Sequence, residues 1–331
     1  MPYQDGVSHT ITILTLRSVI NSAIIFAIME KEGIYYSEFL ADNFFRLFKI
    51  DKIYYQGKTK YQQVDCFYNS FLGKVLFLDK KIQSAQIDEH IYHESLVFPA
   101  LLTHSSPRKV LVNGGGEGAT VREVLRYRSI EKVTMIDIDK ELVSLCQKYM
   151  PEWSQGAFDN PKVQVIFGDA RSYIEESEDT FDIIISDLTE PLKHGLSVYS
   201  FTKEFFKKVY NILNRDGIFI LQAGSADHYY NKFLASLAKT LTSLFPIVRP
   251  YWTFVPSYST PWGFIIASKK EDPVELKESK IAQRMNENGV KNLQFYHPGL
   301  HKGLFALPLY LKKAIAKGRV LSNKKPFIWE M

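Results

Sequence analysis

Short runs in which apolar and polar residues alternate occur at 53–55, 62–68 and 75–78, separated by Gly57, Asn69 and Gly73. That period-two pattern predicts two or three antiparallel strands. Over 88–102 the period lengthens, with Ile91, Ser95, Leu96 and residues 99–102 in helical spacing, until Ser105-Ser106-Pro107 breaks it. A domain boundary is expected near residue 105. Beyond it the chain turns to near-continuous apolar runs at 109–113, 132–138, 163–167, 181–186 and 218–222. These alternate with helical segments at 119–126, 141–149 and 205–213, the last closed by a turn at 214–217. Unbroken apolar strands between helices belong to a parallel sheet covered on both faces. A helix over 229–245 and a hairpin pairing 251–255 with 263–268 complete the pattern. Three units follow: an N-terminal extension (1–34), a small β-domain with a linker helix (35–105) and an α/β domain (106–331).

Hydrophobic residues fill 46% of the 331 positions and charged residues 23%, a balance that supports a buried core and excludes disordered, collagenous and coiled-coil chains. The net charge is only +5, and the basic pairs at 80–81, 269–270, 312–313 and 324–325 are scattered, so nucleic acid is not an expected partner. Cys66 and Cys146 stand far apart without a CxxC pair, which fits neither a disulfide scaffold nor a zinc-thiolate site and suits the cytoplasm. Residues 11–29 are largely apolar, but Arg17, Ser18, Asn21 and Ser22 interrupt them and no cleavage-site pattern follows. An amphipathic extension is expected there, not a signal peptide or membrane span, unless the chain starts nearer Met29.

The chemistry gathers at the ends of the first four strands of the α/β domain. Gly114-Gly115-Gly116-Glu117-Gly118 follows the first, Asp137 ends the second, Gly168-Asp169 follows the third and Asp187 follows the fourth. In an open α/β sheet such ends converge on one crevice. A glycine turn admits a ligand close to the backbone, and an acid about 20 residues on suits a ribose diol. A helix cap is the plain alternative for each acid, above all for Asp139. A dinucleotide fits poorly, because Glu117 would face its pyrophosphate and repel it. An adenosyl sulfonium is the better guest. S-adenosylmethionine carries a carboxylate that Glu117 and Asp187 would oppose, whereas its decarboxylated form ends in a cationic propylamine that they attract.

These residues, together with Tyr61-Gln62, Ile82-Gln83, the run Asp88 to Glu94, Asp187-Leu188-Thr189-Glu190-Pro191 and Val255-Pro256-Ser257-Tyr258, resemble the polyamine aminopropyltransferases, the spermidine synthase family. The likeness spans roughly residues 50 to 310. Gly-Gly-Gly-Glu-Gly, Tyr92-His93-Glu94 and Met150-Pro151-Glu152-Trp153 are closest to the thermospermine synthase and triamine or agmatine branch. The resemblance implies a Rossmann-like, class I methyltransferase-type fold preceded by a small β-domain. It implies transfer of an aminopropyl group from decarboxylated S-adenosylmethionine, a co-substrate, to an amine acceptor. It further implies no metal or other cofactor, no membrane partner and a homodimer or homotetramer.

By the same resemblance Gln62 and Gln83 hold the donor, Asp137 and Ile138 its ribose side, and Asp169 with Ala170 its adenine. Glu117 meets an amine where donor and acceptor join. Tyr92, His93, Glu190 and Tyr258 line the acceptor channel, and Asp187 is the catalytic acid-base residue. Glu190 stands where the family usually has Asp, and Lys193-His194 replaces a common Gly-Pro, changes that bear on acceptor choice. His90 and His93 also suggest a metal pair, but no third ligand stands at suitable spacing. Tyr258 reads equally well as core, and Trp252, Trp262 and Phe205-Phe206 read as packing. An S-adenosylmethionine-dependent methyltransferase and a non-catalytic polyamine-binding protein remain open as alternatives.

Overall fold

The computed structural model describes residues 33–41, 44–193, 195 and 197–329. The apolar segment 11–29, Met29 and His194 lie outside these residues, as does all of the expected extension except Gly33 and Ile34.

Two strands precede the first one that the sequence pattern predicts: β1 (Ile34–Ala41) and β2 (Phe44–Ile50) form an antiparallel pair of their own. They were hard to read because their alternation is blurred, with Ile34, Phe39, Phe44 and Phe45 exposed. A four-stranded antiparallel sheet follows, formed by β3 (Lys52–Lys58), β4 (Gln63–Asn69), β5 (Gly73–Leu78) and β6 (Lys81–Ala85). Its fourth strand, β6, is short and carries Lys81 and Gln83, which masked it in the sequence. Cys66 and Cys146 are both buried and free.

Helix α1 (Glu89–Thr103) is almost wholly buried and packs on the central sheet rather than standing clear as a linker. Its core contacts are continuous with Phe67, Val75 and Phe77 of the small sheet on one side and with Val110, Ile183 and Ile218 on the other.

The α/β portion runs β7 (Lys109–Gly114), α2 (Ala119–Leu125), β8 (Lys132–Asp137), α3 (Lys140–Tyr149), α4 (Pro151–Ser154), β9 (Val163–Phe167), α5 (Ala170–Glu176), β10 (Phe181–Asp187), α6 (Lys203–Ile212) and β11 (Leu213–Ser225). Then come α7 (Lys232–Thr242), β12 (Ile247–Val255), β13 (Thr260–Ser268), α8 (Glu278–Glu287), α9 (Pro298–Leu304) and α10 (Leu309–Ala316). The last three helices had no counterpart in the sequence reading; each has ten residues or fewer, and most of α8 and half of α10 are exposed.

The sheet order is β12-β13-β11-β10-β7-β8-β9. Its first five strands in chain order are parallel, and β13 enters antiparallel between β11 and β12. That insertion separates the fold from the all-parallel 3-2-1-4-5-6 dinucleotide order and gives the methyltransferase-type arrangement. The sheet is therefore mixed, not purely parallel. Successive residues of one strand enter opposite cores: Ile183 and Ile185 face one and Ile184 the other, as do Ile218 and Ile220 against Phe219 and Leu221. This is why these strands read as unbroken apolar runs, each fully buried Ile or Phe contributing roughly 1.5–3 kcal/mol.

The turn expected at 214–217 lies inside β11. Phe181 pairs with Leu213 but Ile183 pairs with Ile218, so those four residues leave the ladder while the strand continues. The predicted helix at 229–245 is shorter, since Asp227 accepts the N–H groups of Tyr229 and Tyr230 in a turn before α7 begins.

Candidate active site

The chain reverses its direction of travel across the sheet between β7 and β10, and there Gly114 and Asp187 are direct register partners. Such a switch point opens a crevice beyond the strand ends. Gly114 sits at φ 77°, and a Cβ on it would meet the Asp187 carbonyl oxygen at 2.4 Å, so only glycine fits. A Cβ on Gly116 would lie 2.9 Å from Asp137 Oδ2, which keeps the turn against the next strand's carboxylate.

A cavity of about 150 Å³ occupies the crevice. Gln62, Gln83, Tyr92, Glu117, Asp137 and Ile138 line it, together with Asp169, Ala170, Asp187, Glu190 and Tyr258. His93 does not. It is buried behind Glu117, with Nε2 2.7 Å from Glu117 Oε1 and Nδ1 2.8 Å from Glu89 Oε2. The expectation that it lines the acceptor channel is corrected: Tyr92 takes the cavity face of α1, and the next residue along a helix points about 100° away.

The run Asp88 to Glu94 is a set of separate anchors. Asp88 Oδ2 accepts the Ser257 N–H at 2.6 Å and fixes the turn that carries Tyr258. Tyr92 donates its hydroxyl to Asp187 Oδ1 at 2.6 Å. Glu94, fully buried, accepts the N–H groups of Gln294, Phe295 and Tyr296 at 2.7–2.9 Å. Glu89 accepts from Arg122 at 2.9 Å as well as from His93. Burial alone would raise Glu89, yet those two partners outweigh it and hold the carboxyl at about 2. Burial likewise pushes His93 down, and Glu117 with Glu89 reverses this and raises it to about 10. The imidazole is therefore a buried cation, held between two carboxylates. Burial pushes Glu117 up, and His93 opposes it.

Asp187 has both carboxylate oxygens occupied on the protein side, Oδ1 by Tyr92 and Oδ2 by the Thr120 hydroxyl at 2.6 Å. Each oxygen keeps a second lone pair for a ligand. Burial pushes the Tyr92 phenol well up, so it remains a donor. Burial also lifts Asp137 to about 6, with the negative charges of Asp139 and Asp187 adding to the effect and the Asp139 N–H, 2.8 Å from Oδ1, opposing it. Asp139 caps α3 through Leu142 and holds Gln62 by an Nε2–Oδ2 hydrogen bond of 3.0 Å, so it organises the cavity wall without lining it. Asp169 both caps α5 and lines the cavity. Burial raises Glu190, and among the described residues no side chain forms an ion pair with it, though Lys81 lies near enough to pull it back.

Several cavity residues carried no functional signal in the sequence, among them Trp262, Gln222 and Ser200. Trp262, read as packing, lines the cavity. Gln222 also lines it, donating to the Leu188 carbonyl at 2.6 Å and accepting from Gly224 N–H at 2.8 Å, which sets the loop after β10. Ser200 reaches the cavity from a turn before α6. Only the three-dimensional return of the chain brings them there.

Residues 89–278 match the family model described as Spermine/spermidine synthase domain, and residues 34–86 match the Spermidine synthase tetramerisation domain. The chain belongs to the spermidine synthase family of aminopropyltransferases. It is 42% identical to polyamine aminopropyltransferase 2 of Hyperthermus butylicus over 84% of this chain and 91% of that one. It is 37% identical to the polyamine aminopropyltransferase of Aeropyrum pernix over 86% and 91%. Among solved structures it is similar to a spermidine synthase bound to the transition-state analogue AdoDATO, with TM-score 0.79, 31% identity and coverage of 87% of this chain and 96% of that one. Spermidine synthase of Thermotoga maritima gives a TM-score of 0.78 at 31% identity over the same shares. Membership makes this an aminopropyl-transferring enzyme that uses decarboxylated S-adenosylmethionine as co-substrate, and it displaces the methyltransferase and non-catalytic alternatives. The N-terminal match identifies an oligomerisation domain. No helix among the described residues is long and apolar enough to cross a membrane.

Proposed function

We propose that the enzyme transfers the aminopropyl group of decarboxylated S-adenosylmethionine to a primary amine of a polyamine or agmatine-type acceptor, with Asp187 as the residue that orients and deprotonates the amine. The single observation that carries this reading is the Asp187 carboxylate. It stands at the sheet's switch point, fixed by Tyr92 and Thr120, in the same cavity as Glu117 and Asp137.

Asp137 and Ile138 take the ribose side of the donor, Asp169 and Ala170 the adenine, and Gln62 and Gln83 flank the sulfonium tail. Glu117, backed by His93, meets the tail amine at the junction with the acceptor. Tyr92, Glu190 and Tyr258 line the acceptor side. The amine nitrogen forms a bond to the methylene beside sulfur, and the carbon–sulfur bond breaks with its electron pair going to sulfur to give methylthioadenosine. The proton leaves nitrogen for Asp187. An alkylammonium near its ordinary value of 10.4 has no lone pair, so this transfer is required at neutral pH. Holding nitrogen and carbon in line supplies the rest of the acceleration.

Exposed Phe39, Phe44 and Phe45 on the β1–β2 pair suit burial between copies, in a homodimer or homotetramer. Two free, buried cysteines suit the cytoplasm. Mass spectrometry of products formed from decarboxylated S-adenosylmethionine and single amines tests the reading. The expected result is the amine heavier by one aminopropyl group with equimolar methylthioadenosine, and methyl transfer from S-adenosylmethionine at a higher rate would refute it.

A further inference from the structure

The matched family domain ends at residue 278, yet the chain returns to the candidate site much later, in its segment 319–329. The loop after β10 follows Asp187 directly and gives Leu188, Glu190, Ser197 and Ser200 to the cavity. Its internal hydrogen bonds are local turns, such as Leu192 N–H to the Glu190 carbonyl and Ser200 N–H to the Ser197 carbonyl, both at 2.8 Å. Local turns do not fix a loop against the body of a protein. That is done from outside: Gln222 holds the Leu188 carbonyl, and Arg171 holds the Tyr199 carbonyl at 3.0 Å. Trp329 N–H donates to the Pro191 carbonyl at 2.8 Å, and Leu192 pairs with Trp329 in a parallel bridge. At the other end of the loop the Thr202 hydroxyl donates to Asn323 Oδ1 at 2.8 Å. There too Lys203 N–H donates to the Leu321 carbonyl at 2.9 Å, and Asn323 N–H donates to Glu204 Oε2 at 3.0 Å. One segment thus ties both ends of the loop.

The segment is firmly seated itself. Leu321 is buried, and its N–H donates to the Thr240 hydroxyl of α7 at 2.9 Å. Arg319 donates to the carbonyls of Lys325 and Pro326 at 2.8 Å each and closes the turn between them and Leu321. The Trp329 indole lies among Phe233, Tyr230 and Phe327, with ring centroids 6.0–6.3 Å away, and Phe233 belongs to the core under the sheet. Such aromatic contacts fix the ring, and the ring fixes the backbone N–H that grips Pro191. We infer that residues 319–329 form a strap that positions the loop after β10 for catalysis, with Trp329 as the positioning residue for Pro191 and hence for Glu190. Trp329 acts through the loop, not on the reacting atoms. A loop free to move by about 1 Å would misplace Glu190 and the backbone leaving Asp187, and a shift of that size costs up to about 100-fold in rate. This assignment rests on the aminopropyl transfer proposed above.

The test compares the native enzyme with Trp329→Ala, Trp329→Phe and Asn323→Ala by amide hydrogen exchange and by initial rates with putrescine, agmatine and spermidine. In Trp329→Ala the loop amides should exchange about tenfold faster, while those of β7 and β10 stay as protected as in the native chain, which shows that the fold is retained. With every amine that the native enzyme accepts, kcat should fall by about tenfold and by a similar factor, the KM for donor being unchanged. Trp329→Phe, which keeps a ring in the seat, should recover most of both effects, and Asn323→Ala, which cuts the other tie, should show both in smaller measure. Loop exchange that is unchanged in Trp329→Ala, or faster exchange with unchanged kcat, would overturn the strap. Trp329 also lines a cavity beyond Glu190, so a loss confined to the KM for one amine would make it a wall of the acceptor site and would overturn the strap as well. Exchange is read without turnover: a native enzyme that forms no product from any amine overturns the proposed transfer, and the strap is then decided by exchange alone.

Discussion

At the strand-end wall of the cavity, the side proposed for the donor, Gly114 and Asp137 are placed by strand register up to Asp187, and the sheet that holds them is buried on both faces. The opposite wall, the side proposed for the acceptor, comes from α1, the loop after β10 and the turn that carries Tyr258, brought together only by tertiary contacts. A donor site of the first kind cannot shift one side chain without shifting a strand. An acceptor site of the second kind can change its far wall residue by residue while the chemistry at Asp187 is preserved. On the proposed assignment, donor identity is built into the fold and acceptor identity onto it.

The sharpest way to break that comparison is at the point where the two ends meet. Asp187→Asn keeps the hydrogen bond from Tyr92 or Thr120 at one oxygen but removes the carboxylate proposed to take the proton. Turnover should fall by about 100-fold or more with donor affinity nearly intact, as read by single-turnover kinetics and calorimetry. Unchanged turnover would remove Asp187 from the mechanism.

Next in size is the buried cation behind Glu117. His93→Leu leaves Glu117 without its counterion and should cost roughly 3 kcal/mol of stability at neutral pH, measured by denaturant unfolding. The pH dependence follows from the raised imidazole. It holds its proton to about 10 in the folded chain, against 6.5 as the ordinary value. Its stabilisation is therefore complete below 6.5 and fades up to about 10. The native melting temperature should fall across that window more steeply than that of the variant; parallel slopes would contradict the pairing.

Asp137 sharpens the donor side. Its carboxyl, lifted to about 6 by burial, should be neutral at lower pH and then a weaker acceptor for a ribose diol. The kcat/KM for donor should drop as pH falls below about 6. Asp137→Asn should abolish that limb and cost roughly 10–100-fold, the worth of one charged hydrogen bond. Smallest of all is the exposed Lys74–Glu152 pair at 2.7 Å, which links the small sheet to α4. Lys74→Met should change stability by no more than about 0.5 kcal/mol in a melting experiment, since screened surface pairs contribute little.

The same division explains what the sequence disclosed. Glu117, Asp137, Asp169 and Asp187 were legible because each follows an apolar run, and runs buried on both faces are conspicuous. His93 was legible as important but misplaced, because only the direction of a helical side chain separates the cavity wall from the layer behind it. Trp262 looked like packing because an indole that lines a cavity and one that fills a core have the same neighbours in sequence. Strands β1 and β2 escaped notice for a physical reason: their exposed aromatics break the alternation that marks a half-buried strand. Gln222 and Ser200 had no local signal at all, being brought to the cavity only where distant segments fold back.

The central claim is that an anionic cavity selects a donor that lacks a carboxylate. Titration calorimetry of the native enzyme with decarboxylated S-adenosylmethionine and with S-adenosylmethionine, at one pH and salt concentration, tests it most directly. The account predicts affinity for the decarboxylated form higher by about tenfold or more. Equal binding, or tighter binding of the carboxylated compound, would contradict it.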